Sequence, residues 1–406
     1  MTQKTLPTER ATMTFVFLTI FLGWVGFSLP FPVFGPLFLT QDAPLLDPAM
    51  SDGARARLLG LGLALYPLGQ IIGSALLGRA SDRFGRRRTL MVALMLTILG
   101  SVLLAFGVMA SWVALLLLGR FVAGLGEGSI AIVQSLASDV STPHTKARNF
   151  ALIGIAMDLG FVVGPLAGGA VLGDVSAGAA ATHWALPFWL ATILFAVNFL
   201  LVPVFLKRNR IPAPEIVSDG DHRPATVMPL MLVSFCTFWS IMTFFDFFPV
   251  YFVQVYGTEP MWLGINAALL SVPLVAAGLV VGRLVGRLGA RRVAVLALIM
   301  MGAGQLAFLQ ATDELAHIPA IIAIAVGITF GQTATSVLVS DAVPPHAQGR
   351  VLGLYRSVTV MAAVVAALVG GWLTSMAPGF PFMMAVLVCG AGVGFLYLPA
   401  TRRAPQ

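Results

Sequence analysis

Charge is what this 406-residue chain has least of. Asp, Glu, Lys and Arg together make up 10% of it, where an ordinary soluble domain carries about 25%. Apolar residues make up 58%, and the mean hydropathy is +0.93. A water-facing fold has too little polar surface to cover so much apolar side chain, so lipid must be the solvent. Cysteine is nearly absent. Cys236 and Cys389 both sit inside apolar runs, which argues against a disulfide framework and against a cysteine metal site. No phosphate-binding G-x-x-x-x-G-K stretch occurs, so ATP is not expected to drive this chain. The net charge is +7, yet the arginines punctuate apolar segments and form no continuous basic face, which argues against a nucleic-acid partner. His144 and His346 stand beside prolines and too far apart to pair on a metal. No enzyme, metal or cofactor signature is found.

What is present is a series of long apolar runs. A helix needs about 20 such residues to cross the hydrocarbon core. Twelve runs qualify, at 13–39, 57–78, 89–109, 111–138, 148–172, 184–206, 227–253, 262–286, 291–311, 317–340, 350–374 and 378–399. They are continuous rather than alternating, so they predict helices and not barrel strands. The first run is too long for a cleavable signal peptide and leads into a multi-pass pattern. Of the 24 Lys and Arg residues, only Arg55 and Arg57 fall in loops on one side, and Arg120 and Arg356 fall within spans. The remainder lie on the side that holds both termini, so both termini are expected in the cytoplasm. Ser51-Asp52 reads as the N-cap of the second span.

The connection between spans two and three, Gly78-Arg79-Ala80-Ser81-Asp82-Arg83-Phe84-Gly85-Arg86-Arg87-Arg88, is the densest charge in the chain. A weaker copy, with Gly286 in place of Asp82, runs from Gly282 to Arg292. A second pair of matching stretches, Ser138-Asp139 to Arg148 and Ser340-Asp341 to Arg350, follows the fourth span of each half. Two motifs repeated at nearly one offset predict two similar six-helix halves. The expected divisions are 1–206, a polar cytoplasmic linker at 207–226, and 227–406. Within the charged loop, Gly78 is expected to let helices approach closely and Gly85 to permit the sharp reversal. Asp82 is expected to act as a latch at the cytoplasmic gate, with Arg83 beside it and Asp139 joining from the end of span four. Arg86 belongs to the same gate loop, although Arg86 to Arg88 read as topology signals alone.

These residues resemble the major facilitator superfamily. The loop at 78–88 is similar to its G-x-x-x-D-R-x-G-R-R signature. Gly119-Arg120 through Gly124 and Gly126 resembles the family's fourth-helix arginine motif. Gly160-Phe161-Val162-Val163-Gly164-Pro165-Leu166-Ala167-Gly168-Gly169 resembles the fifth-helix motif associated with antiporters. Ala64-Leu65-Tyr66-Pro67-Leu68-Gly69-Gln70 resembles the tetracycline-exporter subgroup. The first helix, Phe21 to Phe27, has glycine where that subgroup tends to carry an acid. Glu127 and Asp158 stand where small residues are commoner in the family. The resemblance implies an all-α membrane protein of twelve helices in two pseudo-symmetric halves, of the twelve-helix drug:proton antiporter branch.

Ionisable groups inside spans point to function, because each costs at least ~2.5–3.5 kcal/mol to insert. Glu127 and Asp158 are the first candidates for proton coupling, with Arg120 and Asp246 behind them. On a regular helix Arg120 and Glu127 share a face, roughly 10 Å apart along the axis. Structural readings stand beside these: a backbone bond for Arg120, a permanently neutral Glu127, an interhelical bond for Asp158. Gly160, Gly164 and Gly168 form a stripe for close packing, and if it lies between the halves Asp158 faces the cavity. Phe244-Phe245-Asp246-Phe247-Phe248 reads equally as a cavity lining or as an interfacial aromatic belt. Arg356 is expected to snorkel. Trp24, Phe27, Gln70, Gln134, Trp239, Gln332 and Tyr355 are candidates for the substrate cavity. The expected function is proton-driven export of an amphiphilic small molecule by a monomer in the bacterial inner membrane. Proton-coupled import of a polar nutrient, a passive facilitator and a non-transporting receptor are the alternatives.

Overall fold

The computed structural model describes residues 6–41, 43–142, 145–173, 180–206, 227–344 and 348–398. The expected linker at 207–226, and His144 and His346, lie outside them. Among the described residues the regular structure is entirely helical. The helices are α1 (Leu6–Ser28), α2 (Phe31–Leu39), α3 (Asp52–Phe84), α4 (Arg86–Met109), α5 (Val113–Gly126), α6 (Ser129–Val140), α7 (Lys146–Leu172), α8 (Ala181–Trp184), α9 (Leu186–Phe205), α10 (Met228–Tyr256), α11 (Pro260–Leu288), α12 (Ala290–Gln310), α13 (Ile318–Asp341), α14 (Gln348–Thr374) and α15 (Phe380–Leu396). Eleven helical segments are long and apolar enough to cross a membrane, and α15 is a shorter apolar helix. Its 17 residues span about 26 Å. Helices suit lipid because each satisfies its own backbone hydrogen bonds.

Two expected spans are interrupted. The first breaks between α1 and α2 at Leu29 and Pro30. Proline has no N–H to donate and disfavours helix in the residue before it. The fourth breaks between α5 and α6 at Glu127 and Gly128. There the Glu127 amide bonds the Gly124 carbonyl (3.0 Å) and the Ile130 amide bonds the Glu127 carbonyl (3.2 Å). Both are bonds to the third residue back, which tighten the turn, and Gly124, Gly126 and Gly128 lower the cost of leaving the regular helix. The N-cap at Ser51 is as expected, with its Oγ accepting from the Ala54 amide at 3.4 Å. Gly85 ends α3 with φ +87° and Gly289 ends α11 with φ +82°. Glycine adopts this left-handed backbone readily, so both charged loops reverse the chain in the same way.

The chain forms two compact units. The first comprises Met1–Met50, Leu65–Glu215 and Thr258–Ala268, and the second Ser51–Ala64, Ile216–Gly257 and Leu269–Gln406. In the first, α1 packs on α7 and α9, and α4 packs on α5 and α9. In the second, α10 packs on α14 and α15, and α12 packs on α13 and α15. The neighbour pattern of the first unit recurs helix for helix in the second. The start of α3 belongs to the second unit because it packs on α14, where a side chain at Gly60 would meet the Gly371 backbone at 2.6 Å.

Most of the phenylalanine-rich stretch in α10 is packed core rather than cavity wall or aromatic belt, with Phe245 half-buried. Phe244, Phe247, Phe248 and Phe252 are buried to within 1%. Phe244 lies 5.4 Å from Phe248 and 5.9 Å from Phe308, and Phe308 lies 4.9 Å from Phe382. They form the core of the second unit, which a hydropathy run cannot distinguish from a lipid-facing belt. Phe308→Ala is expected to cost about 3–5 kcal/mol, read as a lowered unfolding midpoint of the purified protein in detergent.

Candidate transport site

The break in span four puts Glu127 at a turn rather than on a helix face. The helix opposite, α3, carries Tyr66 immediately before Pro67. The two helices touch backbone to backbone. A side chain at Gly124 would overlap the Tyr66 carbonyl oxygen, and one at Gly69 would overlap that of Phe121. This contact holds Tyr66 against α5, and its hydroxyl donates to Glu127 Oε2 at 2.6 Å. Arg120 stacks its guanidinium over the same tyrosine ring at 4.8 Å and over Phe34 at 4.5 Å. Arg120 and Tyr66 are buried and Glu127 is half-buried. Arg120 and Glu127 therefore share Tyr66 as a partner from the neighbouring helix.

Aromatic rings continue from this group. Phe27 lies 5.1 Å from Tyr66, Trp24 lies 5.5 Å from Phe27, and Phe161 of α7 lies 6.3 Å from Trp24. Two clefts flank it. One is lined by Glu127, Thr19, Gly23, Trp24, Thr97 and Asn198 among others. The other is lined by Arg120, Tyr66, Phe27, Thr97 and Ser101 among others. Tyr66 was missed as a site residue. Its signal was a hydroxyl in an apolar run beside a proline, in a stretch already singled out for its resemblance. Tyr66→Phe keeps the ring but removes the donor, and about tenfold weaker transport is expected, measured as initial flux in vesicles.

The other candidates are dispersed. The glycine stripe of α7 faces α1 within the first unit. A side chain at Gly160 would lie 2.6 Å from Trp24 Cβ, and side chains at Gly164 and Gly168 would overlap Ser28 Oγ and the Leu29 carbonyl. The premise that placed Asp158 in a cavity, a stripe packed between the halves, is thus corrected. Asp158 is exposed on α7. Pro165 and Gly169 face the start of α11, where Gly264 and Pro260 approach them. Asp246 is half-buried beside the second unit's phenylalanine core.

In the charged loop, Arg86 pairs with Asp139 of α6, so Arg86 does more than mark topology. Asp82 is exposed and makes no ion pair among the described residues. Arg83 stacks on Phe84 at 5.3 Å. Around Gly78 a side chain would meet nothing within 4 Å, so this glycine does not serve close approach. In the second unit the Tyr355 hydroxyl meets Thr335 Oγ1 at 3.2 Å and the Gln332 carbonyl at 3.5 Å. Trp239 packs on Phe235 at 5.7 Å. Gln70 and Gln134 are half-buried and line neither cleft.

Comparison with known proteins gives the family and the fold. The model of the Major Facilitator Superfamily matches residues 16–272 and 262–406. The class H tetracycline resistance protein of Pasteurella multocida is 27% identical over 379 residues, covering 89% of this chain and 88% of that protein. The class G protein of Vibrio anguillarum is 28% identical over 416 residues, covering 97% and 98%. Among solved structures, a D-xylose–proton symporter superposes with a TM-score of 0.79 at 18% identity, over 96% of this chain and 98% of that one. The chain belongs to the major facilitator superfamily and is a multi-pass membrane transporter, not an enzyme.

Proposed function

We propose that this chain exports an amphiphilic, drug-like small molecule from the bacterial cytoplasm in exchange for protons. The observation that carries the reading is the contact of Tyr66 with both Glu127 and Arg120 inside apolar spans. A carboxyl that accepts from the Tyr66 hydroxyl, with a guanidinium stacked on the same ring, can exist charged or neutral. Protonation from outside favours one orientation and substrate binding the other, and this competition gives antiport. The tetracycline resistance relatives support export of an amphiphile, and the apolar, aromatic surroundings of Tyr66 suit one. Asp158 and Asp246 are secondary candidates for the proton. The ion pair of Arg86 with Asp139 is the gate contact we favour, with Asp82 in the same loop.

The same reading takes 1–206 and 227–406 as rocking halves joined by 207–226. It places the arginine-rich loops, and with them both termini, in the cytoplasm, and takes a monomer in the inner membrane as the working unit. The test is accumulation of tetracycline and of amphiphilic cations in an efflux-deficient bacterium expressing the chain. Lower accumulation of at least one compound, reversed by a protonophore, is expected. Raised accumulation, or export that ignores the protonophore, contradicts the proposal.

A further inference from the structure

The cleft beside Glu127 has polar walls whose capacity the protein does not fill. Asn198 of α9 is 1% exposed and Thr19 of α1 is 4% exposed. Asn198 donates through Nδ2 to the Thr19 carbonyl at 2.9 Å. Its Oδ1 and the Thr19 hydroxyl have no partner in the protein, and neither has the Trp24 indole N–H. All three residues line the cleft that Glu127 lines. Each unmatched buried polar group is costly, and a native fold carries few of them. Here residues carrying an unmatched acceptor, hydroxyl and donor stand in the walls of one space beside an ionisable carboxyl. Gly23 keeps that space open, because even a Cβ there would sit 4.0 Å from Asn198 Nδ2.

We infer that this cleft is a water site, and that Thr19 and Asn198 are positioning residues that hold a short water relay to Glu127. Water matches the walls: it can donate to Asn198 Oδ1 and accept from the Trp24 N–H or the Thr19 hydroxyl, the two to four bonds a buried water needs. The relay conserves atoms and charge. A water gives a proton to a Glu127 carboxylate oxygen and takes one from the next water, so one O–H bond breaks as another forms. The site lies among α1, α4, α6 and α9, so the proton would reach Glu127 from within the first unit. Substrate could then occupy the space beside Tyr66 without blocking it. The inference rests on Glu127 being the coupling carboxyl.

The test is infrared spectroscopy of the purified full chain transferred into deuterated water. The carboxyl band that disappears in Glu127→Gln identifies the group, and its shift reports proton exchange. Thr19→Val and Asn198→Leu keep the volume and remove the polar atoms. Carboxyl exchange about tenfold slower in each, restored in Thr19→Ser, with amide exchange in the same spectra unchanged, is expected. Should Asn198→Leu not fold, the near-isosteric Thr19→Val decides. An unchanged carboxyl rate, or amide exchange altered in proportion, overturns the relay alone. No carboxyl band lost in Glu127→Gln at any pD sampled, so that Glu127 never takes up a proton, overturns the coupling role of Glu127, and the relay with it.

Discussion

Glu127→Gln is expected to abolish proton-driven accumulation while leaving substrate exchange near its wild-type rate. Glutamine fills the same space and can still accept from the Tyr66 hydroxyl, so packing against α3 survives. What it cannot do is change its proton number. Coupling between two ligands amounts to about 5–150-fold in affinity, so driven accumulation should fall by up to two orders of magnitude. Exchange of labelled for unlabelled substrate at equal concentrations moves no net proton and should persist. A loss of both activities together would make Glu127 a structural group. Asp158→Asn offers the contrast: exposed on α7, it should have the smaller effect of the two.

The second large effect is expected at Gly168. A single added methyl there would overlap the Leu29 carbonyl oxygen, on the backbone just before Pro30. Backbone cannot swing aside as a side-chain tip can, so α7 must move off α1 along the whole glycine stripe. Overpacking of this kind costs about 1–3 kcal/mol, and here it also displaces Trp24 and Phe161, which meet across the same seam. Gly168→Ala should therefore lower the unfolding midpoint in detergent and remove transport. Gly154→Ala, on the same helix with nothing within 4 Å, is the control. It should be neutral or slightly stabilising, since alanine favours helix by about 1 kcal/mol over glycine. Equal damage from both would mean that the stripe is not a packing seam.

The spans, the charged loops and the repeat were legible because each rests on one-dimensional signals: apolar length, charge density and a fixed offset. Gly85 was legible for the same reason, since a reversal between two long helices calls for a residue free at positive φ. The site was legible only in part. Arg120 and Glu127 stood out as ionisable residues in apolar runs, but their shared partner, Tyr66, lies on α3, and no pattern within one span names it. The α7 glycines signalled close packing without naming the partner, and α1 proved to be that partner. Gly78 looked like a packing glycine and faces open space. The Phe244 to Phe252 rings form a core because Phe308 and Phe382 arrive from distant helices, a contact no local pattern contains. Helices that are apolar all round give periodicity little to report about which face turns inward.

The account turns on substrate and proton moving in opposite directions through one protein. The most direct measurement uses purified protein in proteoliposomes with a pH-sensitive dye inside, an imposed inward proton gradient, and tetracycline and amphiphilic cations added in turn. The account predicts substrate-dependent proton movement that disappears in Glu127→Gln. Flux of the same compounds with no proton movement, or proton movement that survives in Glu127→Gln, would contradict it.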